Sequence, residues 1–147
     1  MTGNKIKVIA LDLEGTLISN AMSQFSRPEL HQFLEFCRNQ FERIVIFTAV
    51  SEERTRLIIR TLAENGDVPV WFSDSLEYVT WSGQYKDLKF VEGANVQEVL
   101  LLDDQEAYIH PEQKEQWLPV KEYQSPYAED DDELKQLSEL IKTKIES

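Results

Sequence analysis

The chain has 147 residues, 41% hydrophobic and 10% aromatic, enough apolar material for the core of one domain and too much for a disordered, collagen-like or coiled-coil chain. Its 27 acidic and 15 basic residues leave a formal charge of −12, the wrong sign for holding nucleic acid by phosphate neutralisation or for binding an anionic membrane. The single cysteine, Cys37, excludes an internal disulfide and a multi-cysteine zinc site.

In chain order, Ile6 to Leu13 is almost continuously apolar, as in a central parallel strand buried on both faces, and it ends in a glycine turn. No long apolar run follows Lys5 and Lys7, and no stretch approaches the roughly 20 apolar residues that span a bilayer. A soluble cytoplasmic protein with a reduced Cys37 is therefore expected. From Pro28 to Gln40 the residues Leu30, Phe33, Leu34 and Cys37 recur at helical spacing, and Pro28 suits a first turn. On that apolar face Cys37 reads as a small hydrophobe rather than a nucleophile. Ile44 to Phe47 predicts a second strand, and Glu52 to Ala63 a second helix closed by Asn65-Gly66.

Between Val68 and Val91 the pattern turns aromatic and short, with Trp71, Phe72, Tyr78, Trp81 and Tyr85 broken by Ser73-Asp74-Ser75 and Ser82-Gly83. It predicts a small β insertion of two or three strands, its aromatics either packed in the core or lining a groove for a peptide. Val99 to Leu102 predicts a third strand, ending in Asp103 and Asp104. The acidic run Glu129 to Glu133 opens a helix, complementing its dipole, with Leu134, Leu137, Leu140, Ile141 and Ile145 on one face. Strands alternating with helices predict an α/β fold with a doubly wound parallel sheet, one domain over residues 1–147.

Ligands of open α/β sheets bind beyond the carboxyl ends of the strands. All three apolar runs end there in polar residues: Asp12 and Glu14 with Gly15-Thr16, then Thr48, then Asp103-Asp104. Facing carboxylates repel unless a cation lies between them, and an all-oxygen set suits a hard octahedral ion such as Mg²⁺. His31, within a helix, and His110, before Pro111, have no partner that marks a catalytic base.

Asp12-Leu13-Glu14-Gly15-Thr16-Leu17 resembles the DxDGTL first motif of the haloacid dehalogenase superfamily. Thr48 in Val45-Ile46-Phe47-Thr48-Ala49 resembles the second motif, Lys86 in Tyr85-Lys86-Asp87-Leu88 the third, and Asp103-Asp104 the fourth. Within the superfamily the chain is most similar to the NLI-interacting-factor-like group, which includes the phosphatases of the RNA polymerase II C-terminal domain. The likeness extends to Arg27-Pro28-Glu29-Leu30, Phe33-Leu34 and Gly83-Gln84, in that group's order, and covers residues 5–143.

The resemblance implies a Rossmann-like fold and Mg²⁺-dependent hydrolysis of a phosphomonoester through an aspartyl-phosphate. It implies Asp12 as nucleophile and Glu14 as the acid that protonates the leaving oxygen and then activates water. Thr48, Ala49 and Lys86 would bind the phosphoryl oxygens. Asp12, the backbone carbonyl of Glu14, and one or both of Asp103 and Asp104 would hold the metal.

Three features of these motifs depart from the pattern. The family has Asp where this chain has Glu14, so the acid hangs on one extra methylene, and a misplacement of about 1 Å can cost a hundredfold in rate. A weakened enzyme, a retuned enzyme and a catalytically inactive phosphate-binding or protein-interaction module are all compatible with it. Gly15 stands where the closest group usually has Glu, and Asp103-Asp104-Gln105 where it has Asp-Asn-Ser. Residues 18–26, between Leu17 and Arg27, are too few for a cap domain or hairpin, so a capless, open site is expected. Such a site favours a phosphoryl group displayed on something large, a phosphorylated protein above all, with nucleic acid disfavoured by the charge. A metal-independent dehalogenase fits poorly, since that branch looks different after the nucleophile. Oligomeric state is not encoded in these patterns.

Overall fold

Val8–Leu11 (β1) is the central strand because its residues are uniformly apolar, and all of them are buried. In the computed structural model, which describes residues 5–146, β1 lies between β2 (Arg43–Ile46) and β4 (Val99–Asp103). Beyond β2 is β3 (Glu77–Tyr78), and beyond β4 is β5 (Trp117–Pro119). The pairings are all parallel, in the order β3-β2-β1-β4-β5. From β1 the chain moves outward through β2 and β3, then returns to β4 on the other side of β1. The switch point of the sheet therefore falls between β1 and β4, where ligands of such sheets bind.

The helices are α1 (Leu30–Gln40), α2 (Glu52–Glu64), α3 (Val70–Asp74) and α4 (Glu133–Glu146). Ile9 and Leu11 of β1 point to the core built with Leu34, Cys37, Ile59, Phe72 and Leu137, which come from all four helices. Val8 and Ala10 point to the opposite core, with Val79, Leu88, Val91 and Ile109 from the connections after β3 and β4. Right-handed crossovers require this division, because the direction of travel across the sheet reverses after β3. The α/β expectation holds, with α-helices on one face and short 3₁₀ turns, such as Leu88–Phe90 and Glu106–Tyr108, on the other.

Two local expectations give way to different structure. Residues 68–91 do not form a separate β insertion: Pro69 opens the short helix α3, and β3 is a two-residue edge strand of the main sheet. Packing overrides the strand propensity of these aromatics. Phe72 is buried, while Trp71 donates from Nε1 to Glu35 at 3.2 Å and lies under Arg38 at 4.8 Å. In α4, Leu134, Leu137 and Ile141 are buried but Leu140 is 52% exposed. It sits one residue, about 100° of helix, from the apolar stripe at Ile141. No helix among the described residues is long and apolar enough to cross a membrane.

Cys37 is wholly buried, and burial pushes its thiol pKa far up. The native protein is expected to resist an aromatic disulfide reagent at pH 8 and to react with one equivalent once urea unfolds it. A fast native reaction would place the thiol at the surface.

Candidate active site

Parallel register brings the strand ends together. Leu11 lies opposite Ile46 and Leu102, so Asp12 follows β1 directly beside Asp103, the last residue of β4. The Asp12 amide donates to the Leu102 carbonyl at 3.0 Å, and the Phe47 amide to the Leu11 carbonyl at 2.8 Å, which puts Thr48 at the same edge. Lys86 arrives from the crossover on the far face, its amide bonded to the Tyr108 carbonyl at 2.8 Å.

The Lys86 ammonium is buried between two carboxylates, 2.9 Å from Asp12 Oδ1 and 2.5 Å from Asp103 Oδ2. Thr16 Oγ1 lies 3.0 Å from Asp12 Oδ2 and 3.3 Å from Asp104 Oδ1. Its one hydroxyl proton serves one of them at a time. Burial pushes the Asp12 carboxyl well above the usual carboxylate range, Lys86 draws it back, and Asp103 raises it again. Burial likewise raises Asp103 against the pull of Lys86. Burial opposes the charge on Lys86, but Asp12 and Asp103 outweigh it, so its pKa rises and the ammonium persists.

Asp12, Asp103 and Asp104 each offer an oxygen within 4.8 Å of the others. Two carboxylates share the one ammonium and a third, Asp104, stands beside them without it, and their hard oxygen donors fit a small divalent cation. Asp103 is fully buried and turned to Lys86, whereas Asp104 lines an open cleft of about 350 Å³ with Asp12, Glu14, Thr48 and Ala49. Gly15 allows this approach on two counts. Its φ is +77°, and a Cβ there would collide with the Asp104 carboxylate.

Asp12, Glu14, Thr48, Ala49, Lys86, Asp103 and Asp104, the site residues expected from the sequence, all lie at this edge, although Glu14 is not turned wholly to the cleft. Its Oε2 accepts from the Ala21 amide at 2.6 Å, tying it to the 18–26 loop. Thr48 is buried, its Oγ1 accepting from the Val50 amide at 3.1 Å and its carbonyl from Trp81 Nε1 at 2.8 Å. Trp81 and Tyr78 line an adjoining groove of about 510 Å³ that shares Thr48 and Ala49. His110 caps a turn through Nδ1, outside the cleft. Sequence reasoning missed Tyr108, Tyr123 and Tyr127 on the cleft walls, and the contacts of Arg27 beneath it. Only Arg27 had left a signal, in Arg27-Pro28-Glu29-Leu30.

A family model described as NLI interacting factor-like phosphatase matches residues 7–147. No curated protein matches the chain.

Replacing Lys86 by Met leaves Asp12 and Asp103 buried without their cation. Without divalent ions, urea unfolding is expected to show a loss of about 3–5 kcal/mol at pH 8. The loss should be smaller at pH 5. The two carboxyls, raised still further in the folded state, contribute stability while protonated and lose it as pH climbs through their folded values.

Proposed function

Because the chain belongs to the NLI interacting factor-like phosphatases, of the haloacid dehalogenase type, we propose that it is a Mg²⁺-dependent phosphomonoester hydrolase working through an aspartyl-phosphate on Asp12. The observation that carries this reading is the buried Lys86 ammonium bridging Asp103 and Asp12, the latter lining an open cleft with Glu14, Thr48 and Asp104. Asp12, Asp104, the backbone carbonyl of Glu14 and, behind them, Asp103 would hold the Mg²⁺. When bound, the ion supplies the positive charge that lets a phosphate dianion approach a carboxylate.

In the first half-reaction an Asp12 oxygen attacks phosphorus as the bond to the leaving oxygen breaks. Lys86 keeps Asp12 oriented and offsets charge on the phosphoryl oxygens, while the Thr48 hydroxyl and the Ala49 amide donate to them. Glu14 gives its proton to the leaving oxygen, then takes one from the water that displaces Asp12 from phosphorus. With one carboxylate oxygen held by Ala21, the other is left for these transfers.

Among the described residues no cap covers the cleft, since 18–26 is a single short loop closed by the Ile18–Ser26 bridge at its edge, so the substrate is a phosphoryl group carried on a protein or another exposed phosphomonoester. The groove beside Tyr78 and Trp81 gives room for the peptide that flanks it. The charge of −12 disfavours nucleic acid. The unpaired, buried Cys37 supports a reducing, cytoplasmic setting, and the match over residues 7–147 supports one domain. One observation favours a second reading. The bond from Ala21 to Glu14 occupies the acid as a loop anchor, as in a catalytically weak or inactive phosphate-binding or protein-interaction module.

Hydrolysis of an aryl phosphate is expected with Mg²⁺ and should vanish with chelator and in Asp12→Asn. Glu14→Asp, which withdraws the carboxyl by one methylene, should change the rate by about tenfold to a hundredfold. Absence of turnover in both the wild type and Glu14→Asp would select the second reading.

A further inference from the structure

Arg27 is a guanidinium with 2% exposure beneath the loop that follows Asp12. Its Nη1 lies 3.3 Å from the Gly15 carbonyl and 3.3 Å from the Thr16 carbonyl. Nε and Nη2 make a bidentate pair with Asp131, at 2.8 and 3.1 Å. The same group stacks over the Tyr123 ring at 5.2 Å, and the Tyr123 amide donates to the Gly15 carbonyl at 2.8 Å. The Arg27 amide donates to the Leu17 carbonyl at 2.9 Å. Three successive carbonyls, Gly15 to Leu17, are thus held from one side. From the other side the Thr16 hydroxyl reaches Asp12 and Asp104.

We infer that Arg27 and Asp131 are a positioning pair for the reacting carboxylate, acting through the Gly15 and Thr16 peptides and the Thr16 hydroxyl on Asp12 and Asp104. The inference rests on the reading of Asp12 as nucleophile. A guanidinium suits the task because its planar fork serves a carboxylate and two carbonyls at once, which a lysine ammonium cannot do. Asp131 belongs to the acidic run before α4, yet it is tied to Arg27 while Asp130 and Asp132 are exposed. One member of that run thereby holds the turn beside Asp12, far away in sequence.

The test compares Asp131→Asn and Arg27→Lys with Asp130→Asn, which makes the same charge change at an exposed position. Amide exchange and turnover of an aryl phosphate are measured on the full chain. Asp131→Asn is expected to speed exchange of the Leu17 and Ile18 amides, both bonded to the Leu13 carbonyl, by about tenfold relative to core amides of β1. It should lower kcat by about tenfold or more with KM within about twofold. Arg27→Lys should do the same more strongly, and Asp130→Asn neither. Unchanged exchange at Leu17 and Ile18 in Asp131→Asn would overturn the inference, as would a kcat loss that only follows the unfolded fraction. Should Arg27→Lys fail to fold, Asp131→Asn still decides. Should the wild type hydrolyse nothing, the reading of Asp12 falls, and the exchange arm separately decides whether the pair holds the loop.

Discussion

One buried ammonium organises this molecule. Taking Lys86 out of water costs several kcal/mol, and only close carboxylates with good geometry offset that cost. Asp12 and Asp103 meet the requirement because β1 and β4 are adjacent and in register, and the crossover from β3 brings Lys86 to the same edge. The amide of Lys86 is held by the Tyr108 carbonyl, and its ammonium lies 4.8 Å from the Tyr108 ring. Tyr108 in turn packs edge-on against Trp81, which donates to the Thr48 carbonyl. Strand register, crossover length and an aromatic wall thus converge on the charge they must accommodate.

The pairing also explains why the site is unbalanced without a further cation. Lys86 is committed to the inner carboxylate, Asp103, and to one oxygen of Asp12. The cleft side keeps the other Asp12 oxygen and Asp104, with a threonine hydroxyl able to satisfy one at a time. The inner half of the cluster is paired and buried, whereas the outer half is acidic and open to the cleft. Such polarity draws a hard cation to the cleft rather than to the core. In the proposed reaction, a phosphoryl group would then meet positive charge within an otherwise acidic cleft.

The parts of the fold written in continuous apolar runs were legible, because a strand buried on both faces leaves no other pattern. The polar residues ending those runs were legible for the same reason, since topology alone assigns them to one edge. Lys86 could be placed only by family resemblance, as an isolated lysine in a loop reads as solvated. Helix α3 was hidden because its five residues are too few for a period to register, and its aromatics carry a strand signal that tertiary packing overrides. The partnership of Arg27 with Asp131 and the bond from Ala21 to Glu14 left no local trace, because each joins segments that meet only after the chain folds.

Two departures from the group's pattern prove to be one structural feature. Gly15 has the left-handed backbone and the bare Cα that let the Asp104 carboxylate sit against the turn. Asp104 in turn receives the Gln105 side-chain amide at 2.7 Å, while the Gln105 backbone amide is taken by Asp103 at 2.9 Å. A side chain at position 15 would push Asp104 off the turn and away from the Thr16 hydroxyl. A change at either position would therefore be felt at the other, and through Thr16 at Asp12. Glu14 is a separate matter, since its extra methylene reaches outward to the Ala21 amide rather than inward to the cluster. The carboxylates of Asp12 and Asp104 and that of Glu14 are thus anchored to different segments around the cleft, so substitution at position 14 can move its own carboxyl while the Lys86 charge cluster stays intact.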